Sequence, residues 1–253
     1  MIHSYKVYDV TPNIKQVKAL MKWQFEAGID FWTTGGANRP SRVMVSPQVE
    51  NSFIDFLNSA EIEHILSVKN VELTLQADKA ARLMARSKRS VSSADSEPNF
   101  ELFWSFEEME AFTIQLAQNY PNLVKRDVIG KSVEGRDIFG LRISSGAEFG
   151  KKPIIFIDSG IHAREWVGHQ STLYLLYQLV MNDSVTKQLV DKVDWVIVPN
   201  ANPDGYVHSW TQDRLWRKNR RFINETCTGI DLNRNFGYMW RYRPNSVSVL
   251  KKT

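Results

Sequence analysis

The first part of the chain alternates strand-like and helix-like patterns of hydrophobic residues. After an alternating, strand-like start, Pro12 opens a stretch in which Ile14, Val17 and Met21 recur three and four residues apart. This spacing predicts one face of an amphipathic helix that Thr11 caps. Four further elements are predicted: strands at residues 29–34 and 42–45, a helix after Pro47, and a strand at residues 65–75. The order β-α-β-β-α-β predicts a ferredoxin-like α+β unit over residues 1–76.

The last part of the chain has the pattern of a sheet covered by helices. Ser105 and Glu108 are spaced as a capping box before a helix. Four later elements are predicted: a hairpin around Gly135, a strand at 153–160, a helix through 173–180, and a strand at 193–198. Because this stretch contains a continuous apolar run, we expect the strand to be covered on both faces. A turn-rich Asn-Pro-Asp-Gly sequence at residues 202–205 follows the last strand. This second unit is therefore predicted to be α/β.

The composition changes between these two parts, over residues 77–99. A basic, helical stretch ends in Arg86-Ser87-Lys88-Arg89, and a Ser-rich segment with little to bury follows it. Such a sequence predicts a connecting segment. A basic-specific protease would cut it after Arg89, since unpacked chain can enter a protease cleft. The alternative is a solvated helix end.

The overall composition is that of a soluble globular protein. Hydrophobic residues make up 43% of the 253 residues, and no apolar stretch reaches the roughly 18 residues of a membrane span. The formal net charge of +4 does not imply a nucleic-acid partner. Cys227 is the only cysteine, which by itself favours a reducing compartment or a missing partner cysteine. No secretory signal is visible at the start.

A histidine and a glutamate follow the strand at 153–160, at its carboxyl end. His162 and Glu165 lie three residues apart, where open α/β sheets place their ligand sites. An imidazole and a carboxylate are both suitable ligands for Zn²⁺. The spacing alone is a weak signal, because a chain of this composition is expected to contain roughly 0.3 such matches by chance.

Two polar clusters come later in the chain. Residues 214–221 contain five Arg or Lys side chains and one Trp. They could form a nucleic-acid surface, a solvated face, or an inward arginine that stabilises an oxyanion. Residues 229–236 combine amide, guanidinium and carboxylate groups. That combination suits a bidentate grip on a carboxylate, or equally a loop held by its own Asx turns.

Taken together and in order, these segments resemble the zinc carboxypeptidases of the pancreatic A and B type. The resemblance covers residues 1 to about 240, and it depends on four motifs: Ser-Gly-Ile-His-Ala-Arg-Glu-Trp at 159–166, Asn-Pro-Asp-Gly-Tyr at 202–206, Trp-Arg-Lys at 216–218, and Asp-Leu-Asn-Arg-Asn at 231–235. It implies an N-terminal activation domain and, over residues 100–253, the first part of an α/β/α catalytic domain with a mixed central sheet.

The resemblance also implies roles for individual residues. His162 and Glu165 would be two zinc ligands, and Asp231 would orient the imidazole of His162. Arg217 would polarise the scissile carbonyl. The remaining residues would bind substrate: Asn233 and Arg234 at the terminal carboxylate, and Arg164 as a secondary contact.

Other parts of the family pattern are missing from this sequence. The family has a second histidine ligand and a glutamate general base beyond the arginine motif, but after Asn235 the sequence contains no His and no Glu. Neither His169, in a predicted helix, nor His208, after the Asn-Pro-Asp-Gly turn, is a convincing substitute. We therefore expect a C-terminally truncated chain without turnover. Cys227 would be half of a family disulfide whose other half is also missing.

The expected function is that of a secreted, Zn²⁺-dependent carboxypeptidase zymogen, activated by a trypsin-like or furin-like protease and acting on peptide or protein C-termini. Glycosylation sequons at Asn182 and Asn224 fit a secretory route. Neither nucleic acid nor membrane is expected as a partner. Two alternatives are a non-catalytic truncated form that inhibits or binds through the activation domain, and a polyanion binder that uses residues 214–221. Salt-dependent binding would identify the latter.

Overall fold

The computed structural model describes residues 5–89, 98–145 and 148–237. These residues form two compact units, one containing residues 5–89 and the other containing the remaining described residues. Among the described helices, none combines the length and the apolar character that crossing a bilayer requires.

The first unit has the predicted ferredoxin-like architecture. Its elements are β1 Lys6–Thr11, α1 Val17–Leu20 with a 3₁₀ turn Met21–Phe25, β2 Ile29–Thr33, β3 Ser41–Val45, α2 Glu50–Ser59, β4 Glu63–Val68 and α3 Val71–Arg89. The sheet order is β2-β3-β1-β4, and every neighbouring pair is antiparallel. Its core contains apolar residues of the strands and of both short helices, among them Val10, Leu20, Val43, Phe53 and Leu57.

Two local expectations for this unit are wrong. The first helix begins at Val17 rather than at Pro12, and Ile14 is exposed while Leu20 is buried. The side chain of Asn13 accepts hydrogen bonds from two following backbone N–H groups, so a side-chain-held turn replaces the first helical turn. The strand predicted over residues 65–75 ends at Val68, and helix α3 begins at Val71. The side chain of Asn70 accepts a hydrogen bond from the Leu73 N–H at the start of this helix.

The second unit is built around a four-stranded mixed sheet. Its elements are α4 Phe106–Asn119, β5 Val124–Lys131, β6 Asp137–Ile143, β7 Ile154–Asp158, α5 Trp166–Met181, α6 Asp183–Val185, β8 Asp194–Val198, α7 Pro203–Thr211, β9 Phe222–Asn224 and β10 Cys227–Thr228, with short π and 3₁₀ turns at Thr186–Val190 and Leu232–Arg234. The capping box of Ser105 and Glu108 is present at the start of α4.

The sheet order is β5-β6-β8-β7, in which β7 and β8 are parallel and the other neighbours are antiparallel. Helix α5 connects the two parallel strands, so residues that follow β7 and β8 meet at one edge of the sheet. The core beneath them includes Phe139, Leu141, Trp166, Leu173, Ile197 and Tyr206.

Two further expectations are corrected in this unit. Strand β7 is not covered on both faces: Ile154 and Phe156 are 52% and 61% exposed, because β7 is the last strand of the described sheet. The Asn-Pro-Asp-Gly sequence is not a loop. Asn202 caps α7, accepting from the Gly205 N–H, and Pro203 occupies its first turn, where a missing N–H costs nothing. His208 is therefore helical.

Candidate metal centre

The loop after β7 holds His162 in a nearly buried position, with 8% of the residue exposed. The loop turns at Gly160, whose φ of +73° lies in the left-handed region. A Cβ atom at Gly160 would lie 1.8 Å from Cε1 of His169. Only glycine therefore allows the loop to pass over the His169 ring and bring His162 to the edge of the sheet.

Both ring nitrogens of His162 have carboxylate neighbours. Nδ1 lies 3.0 Å from Oε1 of Glu165, and Nε2 lies 3.2 Å from Oδ1 of Asp231. Burial alone would lower the pKa of His162, but hydrogen bonds to Asp231 and Glu165 outweigh it and raise the pKa. In a neutral ring that keeps its proton on Nε2 and donates it to Asp231, Nδ1 carries the lone pair that a metal ligand needs.

The side chain of Arg217 lies against the same carboxylates. Its Nε donates to Oδ2 of Asp231 at 3.0 Å, and its Nη1 lies 3.6 Å from Oε1 of Glu165. Burial would raise the pKa of Asp231, yet the contacts with His162 and Arg217 hold it well below its usual range. Asp231 is therefore ionised and joins the histidine to the arginine.

Asn202 is a residue of this site that sequence reasoning missed as a positioning group. Its Nδ2 donates to the carbonyl of Ile161 at 3.0 Å and to that of Lys218 at 3.1 Å. The loop that carries His162 is thus tied to the segment that carries Arg217, and the backbone bond from Ala163 N to Arg217 O, at 3.0 Å, adds a second tie. The signal in the sequence was an Asn-Pro pair typical of a helix N-terminus.

Most cations of the basic cluster at residues 214–221 face inward. Arg214 lies over the Trp166 ring at 3.7 Å and donates to the carbonyl of Arg164. Arg220 lies over the Trp216 ring at 4.6 Å, and its Nε is 3.6 Å from Glu134. With Arg217 on Asp231, these contacts favour the inward interpretation of the cluster over a nucleic-acid surface.

The three expected substrate contacts lie around the centre, and the backbone of Asn233 is bonded to it through Asp231. Arg164 is half-buried and donates to the Leu215 carbonyl at 3.4 Å. Asn233 and Arg234 are exposed, on the short turn that Asp231 caps by accepting from the Asn233 N–H. The exposed amide and guanidinium groups on this turn are available to an incoming carboxylate.

The residues present fit a zinc ion as two of its ligands. The 3.0 Å between Nδ1 of His162 and Oε1 of Glu165 is close to the about 3.4 Å that two ligands keep on a tetrahedral zinc ion. In the described part of the chain, no three His, Cys, Asp or Glu side chains are grouped as metal ligands. His169 donates from Nδ1 to the Pro199 carbonyl, and His208 packs edge-on against Trp216, so neither faces the pair.

Two family models match this chain. The model described as carboxypeptidase activation peptide matches residues 8–78. The model described as zinc carboxypeptidase matches residues 109–253, more than half of the chain. The chain belongs to the zinc carboxypeptidase family. Zn²⁺ is accordingly its cofactor.

Individual relatives agree with this assignment. Zinc carboxypeptidase A 1 of Drosophila melanogaster is 32% identical over 99% of this chain and 58% of its own length. Carboxypeptidase B of Helicoverpa zea is 31% identical over 89% of the chain and 53% of its own length. The crystal structure of carboxypeptidase A from Helicoverpa armigera is 34% identical, with a TM-score of 0.88 over 100% of this chain and 63% of that one. The chain thus spans little more than half the length of the curated relatives it matches.

Proposed function

We propose that this chain is the N-terminal part of a secreted carboxypeptidase zymogen that removes the last residue of peptides and proteins. The observation that carries the proposal is the meeting of His162, Glu165, Arg217 and Asp231, from three separate segments, in one hydrogen-bonded group. Nδ1 of His162 and the carboxylate of Glu165, 3.0 Å apart, suit a metal ion as a pair of ligands, and the arginine beside them suits a substrate oxygen.

In this proposal His162 and Glu165 bind the zinc ion, and Asp231 holds the His162 ring in the tautomer that presents Nδ1. Bound zinc would supply Lewis acidity for attack on a peptide carbonyl. The family resemblance assigns the scissile carbonyl to Arg217. Because Asp231 and Glu165 contact this guanidinium before substrate arrives, its position is fixed in advance.

Asn233 and Arg234 bind the terminal carboxylate, with Arg164 as a secondary contact. A cation and an amide on the turn that Asp231 caps would select the last peptide bond of a chain, because an internal bond has no carboxylate for them to hold. This geometry supports an exopeptidase rather than an endopeptidase.

Residues 1–76 act as the activation domain, and residues 77–99 connect it to the catalytic part. A trypsin-like or furin-like protease releases it by cutting after Arg89. The α3 helix runs to Arg89, so the last helical turn must unwind before those residues can enter a protease cleft in extended form. Cleavage after Arg89 is therefore slower than in an unstructured linker, and it serves as the controlled step of activation.

Residues 1–253 alone lack turnover in this proposal. The described residues supply two zinc ligands, and no His or Glu follows Asn235. Without a positioned general base, a factor of about 10² to 10⁴ in rate is lost. Two protein ligands also hold zinc more weakly than the three of a catalytic site.

Zinc affinity tests the metal part of the proposal. We expect residues 1–253 to compete with a chromophoric chelator for Zn²⁺, and His162→Ala or Glu165→Ala to weaken binding by at least tenfold. Asp231→Asn should weaken it about 10- to 100-fold, as loss of a ligand-orienting carboxylate does. His208→Ala is the matched control and should leave affinity unchanged. Equal affinity of wild type and His162→Ala would reject the site.

Turnover is tested separately. Protein cleaved after Arg89 and saturated with zinc should release no amino acid from peptides with C-terminal aromatic, aliphatic, basic or acidic residues. Release that disappears in His162→Ala would show that these residues are sufficient for catalysis. A chimera that continues residue 237 with the C-terminal part of the Drosophila relative should be active, and Arg217→Ala in that chimera should be inactive.

A further inference from the structure

The two glycosylation sequons lie in different local structures. Asn224-Glu225-Thr226 forms the tip of the β9–β10 hairpin, where Asn224 is paired with Cys227 and the three sequon residues are exposed. Asn182-Asp183-Ser184 lies at the end of α5, where Asn182 caps the short helix α6. The structure therefore distinguishes two sites that the sequence pattern treats as equal.

At the hairpin, the amide of Asn224 is oriented by its own sequon. Its Oδ1 accepts from the Thr226 N–H at 3.0 Å and from the Thr226 hydroxyl at 3.1 Å. Because Oδ1 has both of these donors, Nδ2 is turned away from the turn. No described residue accepts a hydrogen bond from that nitrogen. A sugar on Nδ2 would therefore displace nothing.

An exposed aromatic ring lies two residues before Asn224. Phe222 is 69% exposed, whereas Ile223 between them is half-buried. This exposure pattern places Phe222 and Asn224 on the outward side of the strand. A large exposed aromatic ring on a three-residue strand has no partner in the described part of its unit, and the apolar C–H face of a sugar is a suitable one.

The environment of Asn182 differs in each of these respects. Its Oδ1 caps α6 by accepting from the Val185 N–H at 3.3 Å, and its Nδ2 donates to Oε1 of Gln178 at 3.1 Å. The residue two positions earlier is Val180, which is buried. Modification here would replace an existing hydrogen bond, and no aromatic ring is present two positions before it to receive a sugar.

We propose that Asn224 carries an N-linked glycan whose first sugar packs on Phe222, and that Asn182 is unmodified. In the transfer, Nδ2 of Asn224 forms a bond to C1 of a lipid-pyrophosphate-linked oligosaccharide. The C1–O bond to the pyrophosphate breaks, the lipid pyrophosphate leaves, and Nδ2 loses one proton. The proposal rests on the secretory route of the proposed function, but on neither zinc binding nor catalysis.

Site occupancy is measured on residues 1–253 expressed behind a cleavable secretory signal in insect cells. The signal imposes the route, so a failed zinc site does not affect the result. Release of the glycan in ¹⁸O-water labels each occupied asparagine for peptide mass mapping. We expect one labelled site, lost in Asn224→Gln and in Thr226→Ala but retained in Asn182→Gln. A label at Asn182, or no label at all, overturns the proposal. Either outcome can be measured on protein that the cells retain, so the test does not require the protein to be secreted.

The contact with Phe222 is tested after trimming the glycan to its first sugar. Amide hydrogen exchange over residues 222–228 should be slower in the trimmed glycoprotein than in Asn224→Gln, by about two- to tenfold, the range of a good aromatic contact. In a Phe222→Thr background the same comparison should show no difference. An equal slowing with and without the ring would show that the sugar does not pack on Phe222.

Discussion

At the scale of single residues, the loop that carries His162 depends on a close contact between a glycine and a buried histidine. The His169 ring lies against the backbone of Gly160, and Nδ1 of His169 donates to the Pro199 carbonyl at 3.0 Å. Its Nε2 is buried and, in the described part of the chain, has no hydrogen-bond partner. The contact fixes the turn from which His162 projects, and it leaves Nε2 of His169 without a hydrogen bond to any described residue.

Gly160→Ala should destabilise the second unit by about 2–4 kcal/mol, because the new methyl group overlaps the His169 ring and the residue keeps a positive φ. Gly135→Ala is the matched control: its φ is +84° but nothing lies within 4 Å of the new Cβ. It should lose only about 1–2 kcal/mol from backbone strain. Urea unfolding of both variants measures the difference. Equal losses of unfolding free energy in the two variants would mean that the His169 ring moves aside for the new methyl group at little energetic cost.

The stability of the second unit should fall at mildly acidic pH because of His169. Burial lowers the pKa of His169 to about 4, from an ordinary value of 6.5. The folded state therefore binds this proton less readily than the unfolded chain does. Stability is complete above pH 6.5 and is lost as the pH falls toward 4. The other titratable groups near the ring are Glu165, which favours the charged form, and Tyr206, whose ring lies 4.2 Å away.

Between pH 7.5 and pH 5, this histidine should remove about 2 kcal/mol of unfolding free energy. The measurement is the change in urea midpoint between the two pH values, in wild type and in His169→Gln. Comparing the two proteins cancels the contribution of the other titrating groups. The variant should lose less stability on acidification. Parallel changes would exclude His169 as the source.

At the scale of elements, the sequence predicts strands and helices well where one hydrophobic period dominates. The β-α-β-β-α-β order, the capping box of α4 and the hairpin around Gly135 can all be read from local pattern and turn residues. Residues 202–205 could not, since Asn-Pro-Asp-Gly suits a turn and a helix N-terminus equally. Tertiary contacts decide here: Asn202 bonds to Ile161 and Lys218, which lie 41 and 16 residues away.

The exposure of β7 also could not be predicted from the local pattern of hydrophobic residues. A continuous apolar run shows that a strand is apolar on both faces, but coverage depends on which chain lies beside and above it. Among the described residues, β7 is an edge, and Phe156 lines an apolar groove of about 350 Å³ with Ile129, Ile138, Val198 and Phe236. Unpaired backbone beside exposed apolar side chains is a template for association.

Residues 1–253 should therefore self-associate through β7, and Phe156→Lys should reduce that association. A lysine on an edge strand opposes pairing because its charge must be desolvated. Sedimentation velocity over a concentration series measures the effect. Val167→Lys is the control, because Val167 is similarly exposed, at 66%, but lies on helix α5 rather than on strand β7. Association that is equal in both variants would place the contact elsewhere.

At the scale of the whole molecule, the chemistry of the site could be recognised before its geometry. The His-x-x-Glu spacing and the arginine and asparagine motifs predicted which residues form the site, since a family's motifs preserve side-chain types in order. They could not show that Arg217 and His162 would meet at Asp231, because those contacts join residues 14 and 69 positions apart. Nor could they resolve the basic cluster, whose arginines face Trp166, Trp216 and Asp231.

The two units should differ in resistance to proteolysis when residues 1–253 are made alone. The first unit has a closed core between its sheet and helices, with residues such as Val10, Phe53 and Leu57 fully buried. The second leaves the edge and one face of β7 exposed, and local opening is easiest where apolar contacts are few. Brief digestion with a nonspecific protease should therefore leave a resistant fragment near residues 1–80. Mass mapping should show residues 100–253 degraded earlier, and Phe156→Lys should not protect them, since the groove remains uncovered. Equal survival of both units would show that the second unit forms a protected core from residues 1–253 alone.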